Sequence, residues 1–339
     1  MAINIAVSGI PRGYHFPRVD GNWLTEEHKQ KILAISPEIK LYEVPPYRVK
    51  EFKKAKEINI LLAEGGGEKG YPGEMNREEY TRFFSPNLKW VQVCSTGINN
   101  QVTGEIRDGR VILTNARNLH TIPISESVIA AMLQHAKRFK KRRTDQVNHN
   151  WNQVKCDELY GRTALILGLG NIGKRVAELC KVFNMKVIGT KRRINPIENV
   201  DIVFPSHELG EFIKQADYLV IAAPLTDETE GMISEKEFSQ MKENTYLINI
   251  SRGKIVDEPS MIRALTEKRI SGAYLDCHVT EPLPEDHVLW DMDNVFVISH
   301  DSHSSPYIGD RMVEIFCTNL ERFIAGEPLL YVCDPNVGY

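Results

Sequence analysis

Residues 163–173 read TALILGLGNIG, in which a short apolar run opens directly into three closely spaced glycines. The run Thr163–Leu167 is typical of a buried parallel strand. The glycines allow a tight turn, close approach of the backbone to a pyrophosphate, and close packing of a helix on the strand. The helical spacing of Asn171–Phe183 would point its first N–H groups at the phosphates. The pattern predicts a dinucleotide-binding turn; the alternative is a glycine-rich turn of another α/β fold.

Composition sets limits on the class of protein. The 339 residues suggest about two domains, 42% of them hydrophobic, and the net charge of −3 does not indicate a basic nucleic-acid binder. No apolar run reaches the roughly 18 residues of a membrane span. The start, MAINIAVSGI, reads as a strand rather than a signal peptide. Six cysteines without CxxC pairing favour neither disulfides nor a metal site, so a cytoplasmic protein is expected.

Strand-like and helix-like segments alternate in the first region of the chain. The predicted strands are Ile3–Ser8, Ile39–Val44, Ile58–Ala63, Lys89–Val93 and Val111–Thr114, with helices over Thr25–Ile35 and Asn76–Phe84. The segment Ile124–Asn148 is predicted to be one long helix that bridges two domains.

A second alternation follows from Thr163 onward. Its further strands are predicted over Lys186–Thr190, Val200–Phe204, Tyr218–Ala223, Thr245–Ile250, Gly272–Asp276 and Val295–Ser299, with helices near Glu208–Gln215, Glu235–Met241 and Pro259–Glu267. A last helix over Pro306–Gly326 is expected to return to the first domain. The predicted fold is α/β with two doubly wound parallel-sheet domains. A Rossmann NAD(P) domain, 119–305, would be inserted in a flavodoxin-like substrate domain, 1–118 plus 306–339.

The end of the second Rossmann strand indicates the cofactor. An NAD site of this type has a carboxylate there, about 20 residues after the glycines, on the ribose 2′-OH. Here Lys186–Thr190 continues into Lys191, Arg192 and Arg193. Cations and a hydroxyl can bind a 2′-phosphate by charge-assisted hydrogen bonds. The sequence favours NADP(H) over NAD(H); the alternative is a solvated basic loop with mixed specificity.

Three later stretches carry chemical groups in a recognisable order. They are Asn249–Gly253 (NISRG), Leu275–Pro284 (LDCHVTEPLP) and Asn294–His300 (NVFVISH). GLGNIG, PLTDET at Pro224–Thr229 and the loop at Cys94–Asn99 belong to the same ordered set, and the resemblance that these motifs carry covers nearly the whole chain. The chain resembles the D-2-hydroxyacid dehydrogenase family, and more narrowly its NADP-preferring glyoxylate/hydroxypyruvate reductase-like members.

The resemblance implies roles for individual residues. Arg252 would bind the substrate's carboxylate and carbonyl oxygen, Glu281 would orient the histidine, and His300 would be the general acid/base. Substrate contacts are also expected at Ser95, Thr96 and Gly97. The expected cofactor contacts are Gly168, Gly170, Asn171, Ile172, Gly173, Thr190, Lys191, Arg192, Arg193, Ala223, Pro224, Thr229, Ile250, Asp276 and His300.

Elementary chemistry agrees with these roles. Hydride addition to a 2-oxo carbonyl develops negative charge on oxygen, which a protonated imidazole can neutralise. A carboxylate at Glu281 favours the imidazolium, and the planar fork of Arg252 suits a carboxylate. The alternatives are a surface ion pair for Arg252, a loop residue for Glu281, and His303 as a competitor of His300.

The tail after the histidine departs from the family pattern. Ser299 stands where proline is usual, and Asp301–Ser305 replaces an Ile-Gly-Ser-Ala-Thr-like run. The roles of Asp301 and His303 stay open. So does that of Glu64–Gly67, a loop that would suit a substrate with a polar or cationic tail. Tyr14 and Trp290 are candidates for the substrate's side-chain pocket.

The expected function is NADPH-dependent reduction of a small 2-oxo acid to the D-2-hydroxy acid. Formate and phosphite dehydrogenases are rivals, although formate enzymes of the family have Gln where Glu281 stands. A nucleotide-sensing scaffold with little turnover is the alternative of another class. The basic run Lys137–Arg143 is interpreted as a solvated helix end rather than a nucleic-acid site. No membrane partner is expected, and the resemblance implies a homodimer.

Overall fold

The computed structural model describes residues 2–9, 23–67, 75–98 and 100–335. The chain divides into two compact units, Met1–His120 with Ser304–Tyr339, and Thr121–His303. Among the described residues, no helix combines the length and apolar character that crossing a bilayer requires. None of the six cysteines forms a disulfide.

The first unit is built on a five-stranded parallel sheet in the order β2-β1-β3-β6-β7. The strands of this sheet are β1 (Ile3–Ser8), β2 (Ile39–Glu43), β3 (Ile60–Ala63), β6 (Trp90–Val93) and β7 (Ile112–Thr114). A separate short pair consists of β4 (Gly65–Gly67) and β5 (Met75–Asn76). The first helices of the unit are α1 (Glu26–Ala34), α2 (Arg77–Thr81) and α3 (Gly104–Arg107). The central strands β3 and β6 are buried throughout, as parallel strands covered on both faces must be. Without the short pair the order is 2-1-3-4-5, the flavodoxin-like arrangement.

The second unit carries a seven-stranded parallel sheet in the order β10-β9-β8-β11-β12-β13-β14. Its strands are β8 (Thr163–Leu167), β9 (Lys186–Thr190), β10 (Ile202–Phe204), β11 (Tyr218–Ile221), β12 (Tyr246–Asn249), β13 (Gly272–Leu275) and β14 (Val295–Val297); its helices are α4 (Thr121–Ala136), α5 (Phe139–Val147), α6 (Asn171–Val182), α7 (Leu209–Phe212), α8 (Glu235–Phe238) and α9 (Glu258–Thr266). Chain order reverses between β8 and β11. In such a sheet ligands bind at this switch point, outside the carboxyl ends of the strands.

The α/β class and the two parallel sheets are as predicted from the sequence. All predicted strands are present, with ends within two residues of the observed ones. The helix predicted over Asn76–Phe84 is shorter, because Asn76 caps it and its last residues turn tightly. The Phe83 and Phe84 amides bond carbonyls three residues back, which ends the α-helical ladder.

The predicted helix Ile124–Asn148 is wrong in one respect, because it is two helices. Arg138 separates α4 from α5 with a φ of +55°, and an L-residue in this left-handed conformation cannot continue a right-handed helix. The basic side chains beyond the break have partners nearby. Lys141 pairs with Asp145, and Arg142 donates to the Lys137 carbonyl. Two of the basic side chains of α5 thus have partners within the same region of the chain.

The C-terminal helix α10 (Ile308–Ala325) completes the core of the first unit. Its Ile308, Met312, Phe316 and Leu320 recur every four residues and are all buried. The Phe316 ring stacks on Trp90 of β6 with centroids 5.2 Å apart. The first unit is therefore discontinuous in sequence.

Candidate active site

The glycine turn after β8 is required by packing. Gly168 has a φ of +98°, which favours glycine, and a Cβ there would lie 2.6 Å from the Ala223 backbone nitrogen. A Cβ on Gly173 would lie 2.1 Å from the Gly168 carbonyl oxygen. Gly170 instead borders open space. The first and third glycines thus fix the turn, while the middle one leaves the backbone accessible.

Helix α6 begins at this open face. Gly170 is its N-cap residue, and no side chain caps the helix. The N–H groups at the start of α6, which belong to Asn171, Ile172 and Gly173, are therefore available as donors at the positive end of the helix dipole. This geometry suits a phosphate group.

Thr190 at the end of β9 fastens the glycine turn. Its buried hydroxyl oxygen accepts a hydrogen bond from the Gly168 amide at 3.0 Å, and its carbonyl accepts one from Leu169 at 2.9 Å. Sequence reasoning missed this structural role of Thr190. Beyond it Lys191 is half-buried, whereas Arg192 and Arg193 are exposed. The cations predicted to meet a 2′-phosphate therefore follow the strand next to the turn.

Side chains and carbonyls that follow β11 and β12 form the neighbouring edge. The Thr229 hydroxyl donates to the Pro224 carbonyl at 2.7 Å, which closes the PLTDET loop on itself. The Ser251 hydroxyl donates to the Ala223 carbonyl, and Ala223 and Ile250 are buried. These contacts tie the ends of the two strands together.

The turn that carries Arg252 is held by two devices. The buried Asn249 side chain donates to the Arg252 carbonyl at 3.0 Å and accepts from the Ser251 amide at 3.1 Å. Gly253 packs directly on the chain at His278, where its Cβ would lie 2.1 Å from the carbonyl carbon. The exposed Arg252 guanidinium donates to the Ser251 carbonyl at 2.7 Å. The arginine turn and the segment before Glu281 thus touch backbone to backbone.

Glu281 and His300 form a hydrogen-bonded pair. The His300 Nδ1 lies 2.9 Å from one carboxylate oxygen and 3.1 Å from the other. Burial opposes ionisation of Glu281, but the hydrogen bonds from the His278 amide and the His300 ring outweigh it, so the pKa of Glu281 lies below its usual value. An ionised carboxylate only accepts hydrogen bonds, so Nδ1 carries the proton and Nε2 is the nitrogen that can face a substrate.

His278 supports this pair, although sequence reasoning assigned it no role. Its amide donates to Glu281 at 3.0 Å, and its buried ring donates through Nε2 to the Ile298 carbonyl at 2.9 Å. It thereby joins the loop of Glu281 to the strand that leads to His300. Only its position in the loop after β13 could have signalled this.

The remaining residues near His300 differ in exposure. Asp276 is 2% exposed, and Ser302 donates to both of its carboxylate oxygens. The His303 ring lies perpendicular to that of His300 with centroids 6.3 Å apart. Asp301 is exposed. The contacts of Asp276, His303 and Asp301 with any ligand stay predictions.

The loop after β6 in the first unit holds the expected substrate contacts. The Asn115 side chain donates to the Thr96 carbonyl at 2.8 Å, and the Ser95 hydroxyl donates to the Gly97 carbonyl at 3.1 Å. Within the described residues the amides of Thr96 and Gly97 find no acceptor, and both residues are exposed. Two free N–H groups side by side suit a carboxylate.

Over the described part of the chain, the structure gives no ligand contact for the other residues suggested for the substrate's side-chain pocket. Glu64 is buried in the first unit, and its part in substrate recognition stays a prediction. Trp290 is about half exposed and donates to the Pro284 carbonyl at 2.8 Å. Tyr14 lies outside the described residues.

Comparison with known proteins agrees with this geometry. The family model for "D-isomer specific 2-hydroxyacid dehydrogenase, NAD binding domain" matches residues 129–302. A glyoxylate reductase of Thermofilum pendens is 32% identical over 254 residues, which cover 72% of this chain and 74% of that protein. A glyoxylate reductase of Pyrococcus furiosus is 30% identical over 294 residues, or 84% of each chain.

A crystal structure shows the same fold over the whole length. A D-isomer specific 2-hydroxyacid dehydrogenase family protein from Aeromonas salmonicida superposes with a TM-score of 0.81 at 27% identity. The match covers 98% of this chain and 99% of that one. The family model and these relatives indicate an NAD(P)-dependent oxidoreductase. Within that class, the chain belongs to the D-isomer-specific 2-hydroxyacid dehydrogenase family.

Proposed function

We propose that this enzyme reduces a small 2-oxo acid to the D-2-hydroxy acid, with NADPH supplying the hydride. The observation that carries the proposal is the Glu281–His300 pair, whose free ring nitrogen is Nε2. As hydride reaches the carbonyl carbon, charge develops on the carbonyl oxygen, and the His300 Nε2–H donates its proton there. Glu281 keeps the ring oriented and stabilises its cationic form.

Arg252 supplies the second cation of the proposed reaction. Its guanidinium can bind the substrate carboxylate through two parallel hydrogen bonds and polarise the adjacent carbonyl. Asn249 and Gly253 hold the arginine turn in place, so little entropy is lost when the substrate binds. Ser95, Thr96 and Gly97 are proposed as further substrate contacts, through the free amides of Thr96 and Gly97.

The cofactor preference is proposed from charge. Lys191, Arg192 and Arg193 follow β9 directly, where an NAD site would place a carboxylate. Three cations favour the 2′-phosphate of NADPH. The proposed nucleotide-binding domain is the Rossmann domain 119–305, and the proposed substrate domain is 1–118 plus 306–339.

We also propose that the active form is a homodimer in the cytoplasm. The segment 139–160 of the second unit exposes four large apolar side chains: Phe139 (54%), Val147 (61%), Trp151 (100%) and Tyr160 (72%). Aromatic residues of this kind are enriched at the energetically important centres of protein interfaces. A second copy of the chain would cover them.

A substrate panel tests the proposed function. NADPH and NADH oxidation are followed at the nicotinamide absorbance with 2-oxo acids from glyoxylate to bulky aromatic ones. We expect turnover with at least one 2-oxo acid and a marked preference for NADPH over NADH. Tight nucleotide binding without turnover of any acid would contradict it and would favour a nucleotide-sensing scaffold.

A further inference from the structure

His300 stands in an unusual backbone conformation. Its φ is +56°, in the left-handed region that an L-residue occupies only when its surroundings impose it. It is the middle residue of a three-residue arch, 299–301, that follows β14. The contacts at the two ends of this arch therefore decide whether the imidazole reaches Glu281.

The entry to the arch is fixed at Ile298. Its amide donates to the Leu275 carbonyl at 2.9 Å, which extends the β13–β14 ladder by one bond. Its carbonyl accepts from His278 Nε2 at 2.9 Å. Both polar groups of the Ile298 backbone are thereby held.

The exit from the arch is fixed by a clamp on a buried carboxylate. The Ser302 amide donates to Asp276 Oδ1 at 3.0 Å, and the Ser302 hydroxyl donates to Oδ2 at 2.5 Å. Ser302 is 6% exposed and Asp276 is 2% exposed. Hydrogen bonds between groups that are shielded from water are stronger than the same bonds in water. One residue thus occupies both oxygens of the carboxylate.

A third contact holds the same residue from the helix side. The Ser127 hydroxyl, on α4, donates to the Ser302 carbonyl at 3.3 Å. Ser302 is therefore held through its amide, its hydroxyl and its carbonyl, two residues after His300.

We propose that Ser302 is a positioning residue for proton transfer, because its clamp on Asp276 holds His300 in the left-handed arch that brings Nδ1 to Glu281. The catalytic consequence rests on the proposed function, in which His300 donates the proton. The geometric consequence, an ordered hydrogen bond between Nδ1 and Glu281, does not.

The test compares three serine variants with the wild-type chain. Ser302→Ala removes the hydroxyl and keeps the amide bond to Asp276, whereas Ser302→Thr keeps the hydroxyl. Ser305→Ala is the matched control, because it makes the same change three residues further on, where the hydroxyl accepts a hydrogen bond from the nearby Tyr307 amide. Circular dichroism and thermal unfolding establish that each variant is folded.

The first measurement is independent of turnover. In protein labelled with ¹⁵N-histidine, the Nδ1–H resonance of His300 is identified by its loss in His300→Gln. Ser302→Ala is expected to broaden this resonance or speed its exchange with water about tenfold, as local opening becomes easier. Ser302→Thr and Ser305→Ala are expected to leave it unchanged. An unaltered resonance in folded Ser302→Ala would overturn the proposal.

The second measurement uses the substrate found in the panel. Ser302→Ala is expected to lower kcat roughly ten- to hundredfold, as misplacement of a reacting group does, with little change in the KM for NADPH. Ser302→Thr should restore most of kcat. Equal losses in the alanine and threonine variants would overturn the proposal.

Two further comparisons complete the design. If the wild-type chain turns over no acid while the resonance responds as expected, the proposed function fails and the positioning role stands. If Ser302→Ala does not fold, Ser127→Ala loosens the same residue from α4. It is expected to change the resonance in the same direction, and an unchanged resonance in that variant overturns the proposal.

Discussion

At the scale of single residues, the Glu281 carboxylate accepts hydrogen bonds from two sources. The His278 amide donates one and holds the side chain in its loop, and the His300 ring donates another through Nδ1. Both bonds favour the ionised form, which is why the pKa of Glu281 lies below its usual value despite partial burial. The carboxylate therefore stays ionised to a lower pH than an ordinary glutamate does.

Replacing this charge tests the pair directly. Glu281→Gln keeps the shape of the side chain but removes the negative charge that favours the imidazolium. We expect kcat for 2-oxo acid reduction to fall about 10²- to 10⁴-fold, the usual contribution of general acid catalysis, while NADPH affinity changes little. Steady-state kinetics measure this, with the exposed Glu285→Gln as control. Activity within twofold or so of the wild type would argue against the role of Glu281.

The two arginines after β9, Arg192 and Arg193, are the residues on which the proposed preference for NADPH over NADH depends. In the double variant Arg192→Ala/Arg193→Ala we expect NADPH affinity to fall about ten- to hundredfold, because charge-assisted bonds to the 2′-phosphate are lost. NADH, which lacks that phosphate, should bind nearly as before. Fluorescence titration with each nucleotide measures the difference. Equal losses for both nucleotides would contradict the assignment.

Gly253 shows how closely the arginine turn is packed. A Cβ there would lie 2.1 Å from the His278 carbonyl carbon, a backbone atom that cannot move aside as a flexible side chain can. We expect Gly253→Ala to lower the free energy of unfolding by about 1–3 kcal/mol, as overpacking does, and to impair kcat through Arg252. Urea unfolding measures the first effect. Gly104→Ala, at a site with open space, is the control. An equally small change in the free energy of unfolding in both variants would contradict the prediction, because it would show that the contact at Gly253 tolerates a methyl group.

At the scale of elements, helix α4 is joined to the sheet by a half-buried histidine. His135 stacks on Tyr246 of β12 with centroids 4.1 Å apart, and its Nε2 lies 3.1 Å from the Ser271 hydroxyl. Burial and the nearby Arg138 lower the pKa of His135 to about 4. Unfolded chains bind this proton near pH 6.5, so the unfolded state binds more protons between these two values.

The sign of the pH dependence follows from this difference. The contribution of His135 is fully present above about pH 6.5 and is lost progressively as the pH falls towards 4. In His135→Phe, which keeps the ring stack, the loss of unfolding free energy between pH 7 and pH 5 should shrink by roughly 1–2 kcal/mol. Urea unfolding at the two pH values tests this. The control is His207→Gln, whose side chain is 80% exposed; identical pH dependence in His135→Phe and the wild type would refute the prediction.

The strands, helices and turns also show which parts of the structure could be predicted from the sequence. The parallel strands were predictable because most are short apolar runs, and the central ones are buried on both faces. The glycine turn was predictable because its spacing is a steric requirement. The break at Arg138 was not, since an arginine in the left-handed region leaves no signal in helical periodicity. The Glu281–His300 contact was expected from resemblance. The Ser302–Asp276 clamp and the support from His278 depend on strands meeting in space, which spacing along the chain does not show.

At the scale of the whole molecule, the segment 139–160 exposes four large apolar side chains that a second copy of the chain would cover. Trp151 is fully exposed, although burying a tryptophan side chain removes a large apolar area from water. We expect the wild-type chain to sediment as a dimer and Trp151→Glu to raise the dimer dissociation constant at least about tenfold. Val182→Glu, at a residue 72% exposed elsewhere on the same unit, is the control. A wild-type monomer at micromolar concentration would contradict this prediction.

The central claim is hydride transfer to a 2-oxo acid with His300 as the proton donor. The most direct measurement supplies NADPH carrying deuterium at C4 of the nicotinamide, in each of its two stereochemical forms, with a 2-oxo acid larger than glyoxylate. Mass spectrometry and chiral chromatography then analyse the product. The account predicts deuterium at C2 of the D-2-hydroxy acid from one form of the cofactor, and loss of nearly all product in His300→Gln. An L-2-hydroxy acid, or undiminished product in His300→Gln, would contradict it.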